Sequence, residues 1–225
     1  MQIIDCRQFT TSIVTVPENT FRQGKCLNAN EFMTPPDAAG NKLVSPAMID
    51  AAISTLSFQT PVIFDVELPE YNLRTMAAVA GLMRYYSHME FGIYNAWPIV
   101  GPDALQATEA PFNVKSWLDK QRRITRILPN LSILTPCFYC TTNPQNDAKI
   151  MALIATALDD CDQIVMPFVS NRYAGLGGAG FVPKDQLWNT LTLCQNCFDG
   201  VVAWTNPEPE TDSTFTQCLI DFAHM

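Results

Sequence analysis

The chain has 225 residues, enough for one large domain with a sizeable core, since 48% of them are apolar. Only 16% are charged, below the roughly 25% of an average soluble protein, which suits a compact, deeply buried architecture more than a disordered or coiled one. The net charge of −8, with Lys and Arg scattered, offers nothing to nucleic-acid phosphates, and no run of about 18 apolar residues marks a membrane span.

The N-terminus, MQIIDCRQFTTS, has no basic stretch followed by an apolar one, so no signal peptide is expected. The default expectation is a cytoplasmic chain, or one released by another route such as lysis or a virus particle. Its eight cysteines are then expected to be reduced.

Met1–Arg7 and Lys25–Phe32 read as the first two strands, with no clear helix between them, and Thr34–Asn41 (TPPDAAGN) as a loop. Ser45–Leu56 opens with Ser-Pro, a good N-cap and first-turn pair, and spaces Met48, Ile49, Ala52, Ile53 and Leu56 as one helical face. Gln59–Glu67 (QTPVIFDVE) is the third strand, and Asn72–His88 the next helix. Phe91–Pro98 (FGIYNAWP) is a strand, followed by a helix over Asn113–Leu128 with Trp117, Ile124 and Leu128 on one side. Lys120, Arg122, Arg123 and Arg126 fall on that helix and read as a solvated face. Leu131–Cys140 (LSILTPCFYC), a helix at Pro144–Leu158 opened by Asn143, and the strand Gln163–Ser170 (QIVMPFVS) continue the alternation. Gly175–Gly180 (GLGGAG) is a flexible loop and a candidate lid. A helix at Pro183–Cys197, the strand Gly200–Asn206 (GVVAWTN) and a helix at Asp212–Phe222 complete the chain.

Short, almost wholly apolar strands that alternate with amphipathic helices imply βαβ units and a parallel sheet covered on both faces. No glycine-rich strand-to-helix turn is present, which disfavours an open dinucleotide-binding sheet. The expected fold is a single (β/α) barrel-like domain over residues 1–225, TIM-like and irregular or incomplete, because seven strand candidates fall one short of eight.

Chemistry concentrates at the C-terminal ends of these strands, where barrels carry their sites. In VIFDVE, Asp65 and Glu67 stand at i and i+2, on one side of the strand and roughly 7 Å apart. Phe64 and Val66 then face the covering helices. Two neighbouring carboxylates in a barrel mouth raise one another's pKa, as general acid catalysis requires. The bland alternative is an acidic loop opening at a strand end. Other strands end in rings and amides: Tyr94, Asn95 and Trp97; Tyr139; Asn171, Arg172 and Tyr173; Trp204 and Asn206. Such a set suits the apolar faces and hydroxyl rims of sugars, although any one of these residues also fits a core or rim position.

In their order, VIFDVE, FGIYNAWP, SILTPCFY, IVMPFV and FDGVVAWTN resemble the successive strands of hyaluronidase-like glycoside hydrolases. Those barrels carry a D-x-E pair, a tyrosine on the following strand and a tryptophan in a late G-V-V-x-W strand. The likeness spans residues 59–206. It implies that Glu67 protonates the leaving oxygen, while Asp65 orients a substrate acetamido group whose carbonyl attacks the anomeric carbon. It further implies that Tyr94 and Tyr139 hold that group and that Trp204 floors the sugar subsite, with Asn95, Trp97, Asn171 and Asn206 as further substrate contacts. The partner implied is an N-acetylated polysaccharide, with no cofactor and no metal.

Two other readings stay open. One is a non-catalytic barrel that binds glycan or serves as a structural module of a viral or cell-surface assembly. The other is a metal-dependent hydrolase using Asp5, Asp65 and Glu67, with Asp5 as a third carboxylate in the mouth. Cys137/Cys140 and Cys194/Cys197 form two C-x-x-C pairs. On the expected fold they lie a full strand length apart, too far to share a zinc, and read as buried thiols. With only His88 and His224 in the chain, neither near a strand end that carries chemistry, a Ser-His-Asp triad is not expected.

Overall fold

The computed structural model describes residues 1–7, 20–66, 73–94, 115, 118–119, 129–141, 143–159, 161–173, 180–204 and 209–225. The basic cluster Lys120–Arg126, most of the helix expected at 113–128 and the glycine-rich segment 174–179 lie outside them. No helix among the described residues is long and apolar enough to cross a membrane.

The described strands are β1 (Gln2–Asp5), β2 (Arg22–Gln23), β3 (Lys25–Asn28), β4 (Val62–Asp65), β5 (Phe91–Ile93), β6 (Ile133–Leu134), β7 (Ile164–Val165), β8 (Phe168–Val169) and β9 (Gly200–Ala203). The helices are α1 (Ala29–Phe32), α2 (Pro46–Ile53), α3 (Leu73–Met83), α4 (Pro144–Leu158), α5 (Lys184–Cys197) and α6 (Pro209–Ala223). Every pairing between these strands is parallel, in the orders β2-β1-β9-β8, β3-β4-β5 and β6-β7. The architecture is α/β with parallel sheets, as the alternation of apolar runs and helices implies.

Further contacts link the three sheets. β2 and β3 are consecutive, separated only by Gly24, whose N–H donates to the Asp5 carbonyl at 2.9 Å. Tyr94 bridges Thr135 in parallel, and Cys137 bridges Phe168 likewise. The Met166 N–H donates to the Leu134 carbonyl and the Phe168 N–H to the Pro136 carbonyl, at 2.9 and 2.8 Å.

Several expected elements are shortened or split for local reasons. The strand expected over 163–170 divides into β7 and β8 at Met166–Pro167, because Pro167 has no N–H to give to a ladder. The strand expected over 25–32 stops at Asn28, where the Glu31 carboxylate accepts from the Asn28 N–H at 2.9 Å and starts the short α1. The helix starts behave as their caps dictate. The Ser45 hydroxyl accepts from the Met48 N–H, and the Asn143 side chain from the Gln145 N–H at 3.0 Å.

Side-chain alternation sorts the strands into two apolar clusters. Ile3, Leu27, Val62, Phe64, Val66, Phe91, Ile93, Leu134, Val169 and Val201 join the larger one with residues of α2–α6. Their strand neighbours Ile4, Cys26, Ile63, Ile133, Phe168 and Val202 form a smaller cluster with Cys6 and Met166, against which Tyr94, Tyr139 and Trp204 pack. The small cluster leaves little room. A Cβ on Gly24 would lie 2.5 Å from Ile4 Cγ2 and 2.6 Å from Cys6 Sγ. One on Gly92 would lie 3.0 Å from Ile63 Cδ1 and 3.1 Å from the Ile133 carbonyl. One on Gly200 would lie 2.3 Å from the Gln2 carbonyl.

Asp5 does not share the inner face. It follows Ile3 by two positions, and its carboxylate binds the Arg7 guanidinium at 2.8 and 2.7 Å. Arg7 lies between the Phe21 and Phe215 rings and also reaches the Thr216 hydroxyl on α6. The reading of Asp5 as a mouth carboxylate is therefore corrected: alternation turns it outward, and it serves as counter-ion to a buried arginine. Among the described residues, no three His, Cys, Asp or Glu converge to hold a metal ion.

The cysteine geometry also needs correcting. Cys140 packs against α5, its Sγ 3.1 Å from Thr190 Oγ1, and it acts electrostatically on Cys194 one turn further along. Cys140, at a strand end, thus meets α5 at Thr190, one helical turn before Cys194 and nearer than the full strand length expected between the pairs. Their C-x-x-C partners diverge. Cys137 turns to the inner cluster beside Tyr94, while the exposed Cys197 lines a cleft with Cys161 and Asp199 where β7 begins. Burial pushes the Cys140 thiol up to about 12 and the Cys194 thiol well above its ordinary value, so both stay protonated at neutral pH.

Three outcomes follow. Gly200→Ala is expected to cost about 1–3 kcal/mol by denaturant unfolding, and more than Gly92→Ala, because its Cβ meets backbone at the shorter distance. Asp5→Ala removes a carboxylate that binds the buried Arg7 guanidinium and is expected to cost about 2–5 kcal/mol in the same measurement. Alkylation of the native protein, read by peptide mass spectrometry, is expected to reach Cys197 well before Cys140 or Cys194.

Candidate active site

The site is built where β4, β5, β6 and β9 end. Asp65 closes β4, pairs in register with Asn28 on β3 and is half-buried. Its side lies two residues past Ile63 of the inner cluster, whereas Phe64 and Val66 belong to the outer one. Tyr94 follows the last register pair of β4 and β5, Phe64 with Ile93, and its N–H donates to the Phe64 carbonyl at 2.9 Å. Asp65 and Tyr94 are therefore lateral neighbours at one level of the sheet, both on the inner face.

The β6 segment runs on beyond its two ladder residues. Ile133, Thr135, Cys137 and Tyr139 alternate along it. Ile133 lies in the inner cluster with Tyr139 packed against it, Thr135 Cγ2 faces Gly92, and Cys137 Sγ faces Tyr94. The Thr135 hydroxyl donates to the Ile93 carbonyl at 2.8 Å, which ties the segment to β5.

Four rings form a row over the inner cluster. Tyr94 meets Phe168 edge-on at 4.8 Å between centroids and Tyr139 at 6.3 Å. Tyr139 in turn stacks on Trp204 at 6.2 Å and 14°. Trp204 is held by its N–H, which donates to the Val169 carbonyl at 3.0 Å. Tyr94, Tyr139 and Trp204 are each half-buried, with the apolar cluster beneath them.

Electrostatics limit what Tyr94 can do. Burial, followed by the neighbouring Cys137 and Tyr139, pushes its hydroxyl far above the ordinary phenol range. It is a neutral O–H at any working pH, able to donate or accept a hydrogen bond and unfit to act as a base. Its hydroxyl donates to Cys137 Sγ at 3.2 Å.

Of the residues singled out in the sequence, Asp65, Tyr94, Tyr139 and Trp204 come together at these strand ends. Asn171 follows β8, is 3% exposed, and its backbone carbonyl accepts from the Val182 N–H at 2.8 Å. Arg172 pairs with Phe181 in an antiparallel bridge and lays its guanidinium over that ring at 4.6 Å. Glu67, Asn95, Trp97 and Asn206 lie outside the described residues. The neighbour that sequence reasoning passed over is Cys137, grouped there with the buried thiols. Two-residue alternation from Ile133 through Tyr139 was the signal that turns it inward.

No protein-family model matches the sequence, and no curated protein matches it. Among solved structures, bee venom hyaluronidase in its monoclinic crystal form aligns at a TM-score of 0.69 and 12% identity, covering 100% of this chain and 99% of that one. The same bee enzyme in complex with a hyaluronic acid tetramer aligns at a TM-score of 0.64 and 12% identity, over 96% and 94% of the two chains. In fold, the chain resembles the hyaluronidase-like glycoside hydrolases.

Proposed function

We propose that this chain is a glycoside hydrolase acting on an N-acetylated polysaccharide, and that its strands close into a seven-membered (β/α) barrel. The closure is supported by the parallel contacts that lead from β1 through β2/β3, β4, β5, β6 and β7/β8 to β9, which pairs with β1. A ring with fewer strands is narrower, in keeping with the three inward glycines.

The observation that carries the functional reading is the β4–β5 register, whose continuation past Phe64 and Ile93 sets Asp65 beside Tyr94, next to the stacked Tyr139 and Trp204. A sugar ring lying on Trp204 exposes its acetamido group to these side chains. Asp65 accepts the amide N–H and turns the carbonyl oxygen toward the anomeric carbon. Tyr94, uncharged, donates to that oxygen and holds it in line. Glu67, two positions after Asp65 in the sequence, gives its proton to the glycosidic oxygen as the carbonyl oxygen bonds to the anomeric carbon and the old bond breaks. Glu67 then takes a proton from the water that opens the resulting oxazolinium. This is the substrate-assisted exception to the two-carboxylate nucleophile scheme. The hyaluronic acid tetramer on the bee enzyme of similar fold supports a polymer containing N-acetylated sugars as substrate class.

Glu67→Gln is expected to lower turnover by about 10²–10⁴-fold while binding and folding persist, measured by reducing-end release from a panel of bacterial and animal polysaccharides. Unchanged turnover removes Glu67 as the acid. Asp65→Asn is expected to lower kcat most on N-acetylated polymers. An equal loss on de-N-acetylated ones overturns the assistance by the acetamido group.

A further inference from the structure

We infer that Cys137 is a positioning residue for this reaction, holding the Tyr94 hydroxyl at the place where the acetamido oxygen must arrive. The inference rests on the hydrolytic reading above and adds a residue to it.

The Tyr94 ring has little freedom. Its backbone is fixed to β4 by the N–H bond to Phe64 and to the β6 segment by the bridge to Thr135, and its faces and edge meet Phe168 and Tyr139. What remains free is rotation about the phenol C–O bond, and the side chains of Cys137 and Tyr139 are the hydrogen-bond partners that bear on where the proton points. Cys137 Sγ lies 3.2 Å from that oxygen. The thiol is fixed in turn. Cys137 bridges Phe168 in parallel, and the residues on either side of it are locked. The Phe168 N–H donates to the Pro136 carbonyl at 2.8 Å, and the Phe138 N–H to the Phe168 carbonyl at 2.9 Å. One aromatic residue, Phe168, thus anchors both partners of the bond.

Sulfur is a weak acceptor. It keeps the hydroxyl in register in the empty site and gives it up readily, so that the proton swings to the stronger carbonyl oxygen of an entering acetamido group. An oxygen acceptor in the same place retains the positioning, and an alkyl group does not.

The test is a double-mutant cycle on polysaccharide hydrolysis with separate kcat and KM. Cys137→Ala is expected to lower kcat about five- to tenfold with KM little changed, the worth of one hydrogen bond. Cys137→Ser is expected to stay within about threefold of the unmodified chain. In a Tyr94→Phe background, Cys137→Ala is expected to cost nothing further. An independent readout is the infrared S–H stretch that disappears in Cys137→Ala, which is expected to shift in Tyr94→Phe whether or not the protein turns over. Cys137→Ala at unmodified kcat, or an undiminished loss in the Tyr94→Phe background, overturns the inference and leaves the hydrolytic reading standing. A chain that hydrolyses no polysaccharide overturns both, and the infrared shift then reports the contact alone.

Discussion

The rest of the molecule depends on one steric constraint, the crowding of the inner face of its parallel strands. Ile4, Ile63, Ile133, Met166, Phe168 and Val202 fill that space; a single added carbon would collide with a neighbour at Gly24 and Gly200 and would fit only tightly at Gly92. With the floor packed this tightly, the polar chemistry cannot sink between the strands. It is pushed to their C-terminal ends, where Asp65, Tyr94, Tyr139 and Trp204 stand on an apolar base. The outer face is ordinary by contrast, a broad apolar layer shared with the helices.

Most of the architecture was legible in the amino-acid sequence because it follows from periodicity. The apolar run VIFDVE and the capped helix that begins at Pro144 each carry a local signal strong enough to survive tertiary context. What was not legible depended on contacts distant in sequence. Nothing local says that Asp5 turns outward to neutralise Arg7, or that Cys140 lies against α5 near Cys194. The break between β7 and β8 follows from Pro167, although the apolar run is continuous and hides it until the missing N–H is counted.

The candidate site shows the same division. Alternation alone puts Asp65 on the side of Ile63 and sends Phe64 and Val66 to the helices. The row of rings was foreseeable as residue types at strand ends, but not as an ordered stack, because the contact of Tyr139 with both Tyr94 and Trp204 joins segments more than forty residues apart. Cys137 belongs in this row by its register. Its C-x-x-C spacing drew attention to metals and away from the phenol it touches.

The register of β1 with β9 has a consequence for how the chain acquires its shape. Gln2 pairs with Gly200 and Asp5 with Ala203, so β1 waits for a strand that follows it by nearly two hundred residues before the ladder between them can form. Until then one edge of β1, with the apolar Ile3 and Ile4, stays open to other chains. Such long-range closure folds slowly. A nascent chain of this protein therefore passes through a sticky interval whose length is set by translation speed, and a shielding chaperone would matter most during synthesis rather than after release.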